Sequence, residues 1–298
     1  MALMGRWLIL GATGLFGQAA MQEAKRRGIE ALGAARTSAD IDLDITDAKA
    51  VWKTLHDFRP EVVLNSAALI EIGACEADPE LAHRVNADAV EALAAATESL
   101  NTRFVQISTD HYWTGDGAQQ HDEDAPVSLV NEYAKSKYAG ELAALKYKGS
   151  LVVRTNVTGF RGWTDRPTFA EWCMDVIEED RPVTLFTDFY TSTIDAPGLA
   201  RAVFDLVERG ATGLFHVASS EVLSKAEFIR GLAEVAGRPL TLAREGSVAG
   251  LVPRRAESLG LDVDKAEKAL GYELPGASEV WQSLVQQSEE NQCVTRQA

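Results

Sequence analysis

Gly11-Ala12-Thr13-Gly14-Leu15-Phe16-Gly17 decides the fold, because this glycine-rich stretch follows an apolar run at 7–10 and opens a helical pattern at 16–27. In that context the first glycine permits a tight turn, the second admits a pyrophosphate, and the third lets helix and strand pack closely. Phosphate groups would meet the free N–H groups at the start of the helix. The stretch predicts a dinucleotide-binding turn with six cofactor-binding residues, Gly11, Thr13, Gly14, Leu15, Phe16 and Gly17.

Outward from this turn, short apolar runs alternate with helical patterns. The runs predict strands at 31–35, 62–65, 104–108 and 151–154, and the patterns predict helices at 48–58, 79–100 and 133–146. Continuous apolar strands separated by helices are typical of a parallel sheet that is covered on both faces. The sequence therefore predicts an α/β fold, a Rossmann-like doubly wound parallel sheet, with ligands at the carboxyl ends of its strands.

The alternation weakens after residue 154. We expect a loop at 156–168, helices at 169–179, 196–208 and 263–270, extended segments at 182–186 and 214–218, and a frayed polar tail from 286. Ser224-Lys225-Ala226-Glu227 has the form of a capping box and predicts a further helix start. We divide the chain into a dinucleotide-binding domain at 1–155, rejoined by 187–220, a smaller discontinuous C-terminal substrate lobe at 156–186 and 221–285, and a tail at 286–298.

Composition limits the class of protein. The 298 residues are 46% hydrophobic and 24% charged, as in ordinary globular proteins, and the net charge of −15 disfavours nucleic acid and anionic membrane surfaces as partners. No apolar run approaches the roughly 18 residues of a membrane span, and residues 7–10 fit a buried strand better than a signal peptide, so we expect a cytoplasmic protein. The three cysteines, Cys75, Cys173 and Cys293, are too dispersed to indicate a metal site or a disulfide framework.

Tyr133 and Lys137 are four residues apart in a predicted helix and therefore share a face. The ammonium would favour the ionised phenol and lower the pKa of Tyr133, which makes the phenol a candidate acid toward a carbonyl oxygen. Thr109 follows a predicted strand and can hydrogen-bond the reacting oxygen. Together with the glycine-rich turn, these three catalytic candidates indicate a nicotinamide-dependent oxidoreductase.

Arg36 stands about 20 residues after the turn, where a carboxylate would read a free ribose 2′-hydroxyl. Because Arg36-Thr37-Ser38 suits a 2′-phosphate instead, the sequence favours NADP(H), with NAD(H) possible as the alternative cofactor. Asp44 is a candidate for the adenine amino group. Ala67 lies in the small-residue stretch Asn65-Ser66-Ala67-Ala68, which would let backbone approach the cofactor or would simply let a helix pack on the sheet.

The glycine-rich turn, residues 65–68, Thr109, Tyr133 and Lys137 resemble the extended short-chain dehydrogenase/reductase pattern in order and spacing. Residues 42–47, 75–86, 108–110, 186–193 and 262–271 resemble its dTDP-4-dehydrorhamnose reductase branch, and the likeness covers most of 6–272. The resemblance implies that Tyr133 protonates the C4 carbonyl of a sugar as NADPH delivers hydride, and that Lys137 lowers the pKa of Tyr133 and holds the nicotinamide ribose. It also implies that Thr109 hydrogen-bonds the reacting oxygen, with Asp110 as a weaker catalytic candidate beside it, and that residues 154–157 border nicotinamide and substrate.

The chain also departs from that branch. Ser108-Thr109-Asp110-His111-Tyr112-Trp113-Thr114-Gly115 stands where the branch usually has Ser-Thr-Asp-Tyr-Val-Phe-Asp-Gly, a stretch that lines the sugar pocket, so the sugar stays open. His111 replaces the Glu of nucleotide-sugar 4,6-dehydratases, which argues against dehydration; it is either a second proton donor or a hydrogen-bonded structural histidine. Guanidinium groups and an aromatic face suit a nucleoside diphosphate, so Arg161, Trp163 and Arg254 are substrate-binding candidates. The resemblance adds His111 and Asn156, which fall in the stretches expected to line the sugar pocket and to border the substrate.

The sequence thus favours an NADPH-dependent reductase of a nucleotide-activated 4-keto-6-deoxy sugar. Two alternatives stay open. One is a nucleotide-sugar epimerase or dehydrogenase that retains NAD. The other is a non-catalytic regulatory subunit resembling that of methionine adenosyltransferase, although Thr109, Tyr133 and Lys137 are all present. Members of the family often form homodimers, and we expect the same to be possible here.

Overall fold

The computed structural model describes residues 5–163 and 165–297, with side chains through residue 291. Its strands are β1 (Arg6–Leu10), β2 (Glu30–Ala35), β3 (Ile41–Asp42), β4 (Val62–Asn65), β5 (Arg103–Ile107), β6 (Gln120–His121), β7 (Leu151–Arg154), β8 (Asn156–Thr158), β9 (Val183–Phe186), β10 (Tyr190–Thr191), β11 (Thr193–Asp195), β12 (Gly213–His216), β13 (Leu223–Ser224), β14 (Ala243–Gly246) and β15 (Ser258–Leu261). Its α-helices are α1 (Leu15–Arg27), α2 (Ala48–Phe58), α3 (Ile72–Ala77), α4 (Pro79–His83), α5 (Ala89–Ser99), α6 (Glu132–Leu145), α7 (Phe169–Glu178), α8 (Ala196–Glu208), α9 (Lys225–Val235), α10 (Asp264–Leu270) and α11 (Ala277–Gln297).

The main sheet has seven parallel strands in the order β12-β7-β5-β4-β1-β2-β3. Successive side chains of a strand point to opposite faces, and β1 shows the consequence. Trp7 and Ile9 lie in the core formed with α1 and α8, whereas Leu8 and Leu10 lie in the core formed with α2 and α5. This confirms the predicted α/β fold with a doubly wound parallel sheet.

The chain moves outward from β1 to β3 and then returns to β4 on the other side of β1. In sheets of this kind the ligand crevice opens where the strand order reverses, at the carboxyl ends of the strands. Here that point lies between the glycine-rich turn after β1 and residues 65–68 after β4. The main sheet therefore places these two sequence motifs side by side.

The C-terminal part contains a four-stranded sheet, β13-β10-β15-β6, and two pairs, β8 with β11 and β9 with β14. A separate core joins α7, α9, α11 and β9. The predicted capping box is confirmed, because Ser224 Oγ accepts from Glu227 N while Glu227 Oε2 accepts from Ser224 N. The division into lobes stays a prediction.

Three predicted segments differ from the structure. The loop predicted at 156–168 begins with the strand β8, which pairs in parallel with β11. A π-helical turn, Arg84–Asp88, interrupts the helix predicted at 79–100 and turns Asn86 inward, where it bonds Leu69 and Ser136. The segment predicted as a frayed tail from 286 is helical up to Gln297, because α11 continues after burying Val280 and Leu284; Ala298 lies outside the described residues. None of the described helices combines the length and apolarity that a membrane crossing requires.

Candidate active site

The glycine-rich turn has the shape that a dinucleotide needs. Gly11 has φ +79°, and a Cβ there would lie 2.7 Å from the backbone nitrogen of Ala67, while a Cβ on Gly17 would lie 2.0 Å from the carbonyl oxygen of Gly11. No side chain among the described residues caps the start of α1 at Gly14, so the first N–H groups of α1 are available to a phosphate. The turn therefore fits a dinucleotide pyrophosphate.

The other residues predicted in this turn differ in what they can offer a ligand. Phe16 is buried in the core beneath the turn, so only its backbone is available to a cofactor. Leu15 lies against the loop after β8, where a Cβ on Gly159 would come 3.3 Å from its Cδ1. The carbonyl oxygen of Thr13 accepts a 3.0 Å hydrogen bond from Gln18 Nε2. These contacts fix the turn against its surroundings.

Arg36 follows β2 and is exposed, as a residue that meets a 2′-phosphate would have to be. Asp44 is exposed nearby and accepts hydrogen bonds from Thr46 N and Thr46 Oγ1 at 2.8 and 2.7 Å. These bonds, with help from Arg36 and Arg84, lower the pKa of Asp44. The predicted adenosine end of the site is thus an exposed polar edge that carries the guanidinium of Arg36 and the carboxylate of Asp44.

Tyr133, Thr109 and Lys137 are brought together by α6 and the end of β5. The side chain of Asn131 caps α6 and accepts from Ala134 N at 2.8 Å, which orients the first turn that carries Tyr133. Lys137 is buried, and its Nζ donates a 2.8 Å hydrogen bond to the carbonyl oxygen of Ile107, the last residue of β5. The predicted catalytic residues therefore meet at the carboxyl edge of the main sheet.

The predicted electrostatic effect of Lys137 on Tyr133 is not found. Burial raises the pKa of Tyr133, and Thr109 only partly opposes this. Burial likewise lowers the pKa of Lys137 to about 8, against the raising effect of Glu141. The ammonium bonds a backbone carbonyl instead of the phenol, which corrects the expectation from helical spacing. Tyr133 is consequently protonated at neutral pH, the state that a proton donor requires.

Asp110 is almost fully buried and belongs to a chain of polar side chains. Its Oδ2 accepts a 2.7 Å hydrogen bond from Asn156 Nδ2, and Asn156 Oδ1 accepts from Thr193 Oγ1 at 2.9 Å. Burial raises the pKa of Asp110, which Asn156 and then Lys225 oppose. Asn156, predicted to bind substrate, is thus already engaged in holding Asp110.

His111 lies between two aromatic rings. Its ring centroid is 5.6 Å from that of Tyr133 and 6.5 Å from that of Phe189, with nearly perpendicular planes. Burial, together with Arg255 and Lys225, lowers the pKa of His111 to about 4, so the ring is neutral at pH 7. Its Nδ1 is buried without a partner among the described residues. The expectation of a hydrogen-bonded structural histidine is therefore not met at that nitrogen, and a cationic proton donor is disfavoured.

The predicted substrate-binding residues Arg161, Trp163 and Arg254 lie in two loops. The guanidinium of Arg161 lies 4.0 Å from the ring centroid of Trp163, and its backbone oxygen accepts from Gln18 Nε2 at 3.2 Å. This loop therefore contacts the start of α1 beside the glycine-rich turn. Arg254 donates to Thr114 Oγ1 at 3.1 Å, within the stretch that follows β5. Binding of one nucleoside diphosphate by both loops stays a prediction.

The sequence analysis did not predict several charged side chains that surround the candidate catalytic residues. Glu141 accepts from Ser108 Oγ at 2.9 Å and pairs with the buried Arg154, so a buried ion pair supports the stretch that carries Thr109. Glu141 lies one turn after Lys137, a helical spacing that could have indicated it. Lys225 stands in the sequence only as part of a capping box, although its ammonium lies 5.7 Å from the ring centroid of Phe189, which contacts His111.

Thr155 offers a further test of cofactor fit. Its Oγ1 is buried and has no partner among the described residues, and it follows β7 at the same carboxyl edge. A polar group without a partner in such a place is expected to be satisfied by a ligand or by water. Thr155 lies in the segment 154–157 that was expected to border nicotinamide.

Comparison with known proteins supplies the family. The profile of the RmlD substrate binding domain matches residues 5–289. The probable low-salt glycan biosynthesis reductase Agl14 of Haloferax volcanii is 31% identical over 90% of this chain and 93% of its own. The dTDP-4-keto-6-deoxy-D-glucose reductase of Streptomyces niveus is 31% identical over 72% and 73%.

Among solved structures, dTDP-4-dehydrorhamnose reductase of Bacillus anthracis in complex with NADP is similar with a TM-score of 0.84. It is 23% identical and covers 95% of this chain and 98% of its own. At that identity the structural likeness shows only the fold. Membership of the family is shown by the profile match over residues 5–289.

Proposed function

Because the chain belongs to the RmlD family of extended short-chain dehydrogenases/reductases, and so is an NAD(P)-dependent reductase of the nucleotide-sugar class, we propose that it uses NADPH to reduce the C4 keto group of a nucleotide-activated 4-keto-6-deoxy sugar. One observation carries this proposal: protonated Tyr133 and Thr109 meet at the carboxyl edge of the sheet that also holds the glycine-rich turn. The dTDP form is the first substrate to test, because the Streptomyces niveus relative is a dTDP-sugar reductase.

In this proposal the bound dinucleotide supplies a hydride, and the chain supplies the proton. Tyr133 donates its phenolic proton to the C4 oxygen, and Thr109 donates a hydrogen bond to the same oxygen as it gains charge. Ketone, hydride and proton together give the alcohol, and the phenolate regains a proton from solvent.

Lys137 has a separate task. Its ammonium has three donors, of which one bonds the carbonyl oxygen of Ile107, so the others are available to ribose hydroxyls of the cofactor. With a pKa of about 8 it carries a proton at neutral pH. Lys137 thereby connects the end of β5 to the cofactor.

Preference for NADPH over NADH rests on Arg36. The residue is exposed just after β2, and Thr37 and Ser38 follow it in place of the carboxylate that would bind a ribose 2′-hydroxyl. A guanidinium pairs with phosphate through charge-assisted hydrogen bonds. The NADP bound to the Bacillus anthracis protein agrees with this choice.

The test follows the loss of NADPH absorbance with dTDP-4-keto-6-deoxyglucose for native protein, Tyr133→Phe and Tyr147→Phe. We expect turnover for native protein and Tyr147→Phe, and a fall of about 10²–10⁴-fold in kcat for Tyr133→Phe, the usual contribution of a positioned acid. Equal turnover of native protein and Tyr133→Phe would exclude Tyr133 as the acid.

Absence of turnover in native protein has two informative forms. Oxidised NAD released from denatured native protein would indicate the epimerase or dehydrogenase alternative. Binding of NADPH without turnover of any keto sugar offered would favour the regulatory-subunit alternative.

A further inference from the structure

Lys225 is the first residue of α9 and lies in an aromatic surrounding. Its backbone N–H donates to the carbonyl oxygen of Phe189 at 2.9 Å, which ties the start of α9 to the segment before β10. Its Nζ lies 4.2 Å from the ring centroid of Phe169, 5.7 Å from that of Phe189 and 5.9 Å from that of Phe228. The rings hold the ammonium in place by cation–π attraction.

The ammonium of Lys225 lacks a hydrogen-bonding partner. None of the residues that the structure describes accepts a hydrogen bond from its Nζ or forms an ion pair with it, although the side chain is partly buried. Two other lysines differ in this respect: Lys137 Nζ donates to Ile107 O at 2.8 Å and Lys265 Nζ to Leu214 O at 2.7 Å. An ammonium has three donors. Those of Lys225 are therefore available to a ligand that lies beside these rings.

The neighbours of Lys225 place it beside the candidate active site. Phe189, under its ammonium, contacts the ring of His111, and His111 contacts the ring of Tyr133. The ammonium also acts electrostatically on the buried carboxyl of Asp110. A sugar whose C4 oxygen meets Tyr133 would have its ring near this group of residues, whereas its diphosphate would be separated from Tyr133 by the ring.

We propose that Lys225 is a substrate-binding residue whose ammonium donates a hydrogen bond to a hydroxyl of the sugar ring. This inference rests on the proposed function and adds a residue to it. The carboxyl of Asp110 nearby disfavours a second anion at this position and leaves a neutral hydroxyl as the fitting acceptor. Phe169 and Phe189 add apolar surface for the C–H groups of the same ring.

Calorimetric titration of the NADP-saturated protein with dTDP and with dTDP-L-rhamnose separates the sugar from the nucleotide. Lys225→Met keeps the length of the side chain and removes the charge and the donors. Arg230→Met removes one positive charge from the exposed side of the same helix and is the matched control. We expect Lys225→Met to weaken the binding of dTDP-L-rhamnose by about 10- to 100-fold, the usual effect of losing a hydrogen bond from a charged group. The affinity for dTDP should change less than twofold. Arg230→Met should change neither affinity.

Titration of native protein with the 2-deoxy and 3-deoxy analogues of the same dTDP-sugar supplies a second measurement that needs no altered protein. Removal of the hydroxyl that Lys225 binds should weaken sugar binding to native protein by a similar factor. The same removal should change the affinity of Lys225→Met very little. If both analogues bind native protein as tightly as the parent sugar, the proposed hydrogen bond is excluded, even where Lys225→Met fails to fold.

The other outcomes are also distinct. An equal loss of affinity for dTDP and dTDP-L-rhamnose in Lys225→Met would assign Lys225 to the diphosphate and overturn the inference. Unchanged affinity for both compounds would also overturn it. If native protein binds neither compound and does not reduce the keto sugar, the proposed function itself fails, and the inference fails with it.

Discussion

Asn156 Nδ2 donates a 2.7 Å hydrogen bond to Asp110 Oδ2, so a residue of β8 holds the carboxyl that follows β5 of the main sheet. Thr193 in β11 donates in turn to Asn156 Oδ1. The carboxyl beside Thr109 is therefore fixed by two strands that lie outside the seven-stranded sheet. This contact connects the position of the candidate catalytic residues to the C-terminal part of the chain.

Replacement of Asn156 by Ala should destabilise the protein in a pH-dependent way. The folded-state pKa of Asp110 is raised, so ionisation of Asp110 costs stability as pH rises, and Asn156 offsets that cost. We expect a loss of about 1–3 kcal/mol in the free energy of unfolding at pH 8 and a smaller loss at pH 5. Urea denaturation at both pH values measures this. A loss of the same size at both would show that Asn156 does not favour the ionised carboxyl.

Replacement of Arg36 by Ala should change cofactor preference. If Arg36 binds the 2′-phosphate, its loss should lower kcat/KM for NADPH by about 10- to 100-fold and leave that for NADH nearly unchanged. Steady-state kinetics with each cofactor measures the ratio. Lys53→Ala, which removes an exposed charge from α2, serves as the control and should leave the ratio unchanged. A parallel fall for both cofactors would remove Arg36 from the 2′-phosphate site.

His216 should make the protein sensitive to acid. Its ring is fully buried, with Nδ1 3.1 Å from the carbonyl oxygen of His121 and Nε2 3.3 Å from Arg154 Nη1, so the neutral tautomer with a proton on Nδ1 satisfies both contacts. Burial and Arg154 lower the pKa of His216 to about 3. Because the unfolded chain binds this proton more readily, stability is lost as pH falls below about 6.5.

His216→Asn removes the titrating group. Between pH 6.5 and pH 4 we expect its free energy of unfolding to fall less steeply than that of native protein, by up to about 1.4 kcal/mol per pH unit. Urea denaturation across that range gives both slopes. Identical slopes would mean that His216 accepts its proton equally well in the folded and unfolded chains.

Gly140 permits the close contact that positions α6. A Cβ there would lie 1.9 Å from the carbonyl oxygen of Asn86 in the π-helical turn, so Gly140→Ala must push the two helices apart. We expect a loss of about 1–3 kcal/mol in the free energy of unfolding, together with lower activity because α6 carries Tyr133. At Gly149 a Cβ would meet nothing within 4 Å, so Gly149→Ala is the matched control with little or no loss. Equal stability of the two variants would contradict the packing argument.

Local sequence was a good guide wherever a local rule governs the structure. The strand–turn–helix shape at Gly11–Gly17, the strand–helix alternation and the Ser224 capping box depend on neighbouring residues, and all three are confirmed. Binding of a dinucleotide at that turn stays a prediction. The π-helical turn escaped prediction because its stabilising contacts, from Asn86 to Leu69 and Ser136, join residues 17 and 50 positions apart. The continuation of α11 was not predicted for a similar reason, since Val280 and Leu284 are buried against α7, α9 and β9, which lie far from α11 in the chain.

The sequence by itself determined the glycine-rich turn between β1 and α1, the order of the strands in the chain and the Tyr133–Lys137 spacing, because each follows from backbone geometry over a few residues. Only the tertiary structure decided the electrostatics of the site. Burial raises the pKa of Tyr133 against the predicted lowering, and the carbonyl of Ile107 takes the ammonium of Lys137. Only the tertiary structure also brought Lys225 against Phe189, beside the ring of His111. Desolvation and charge act through space, so they depend on contacts between residues far apart in the chain.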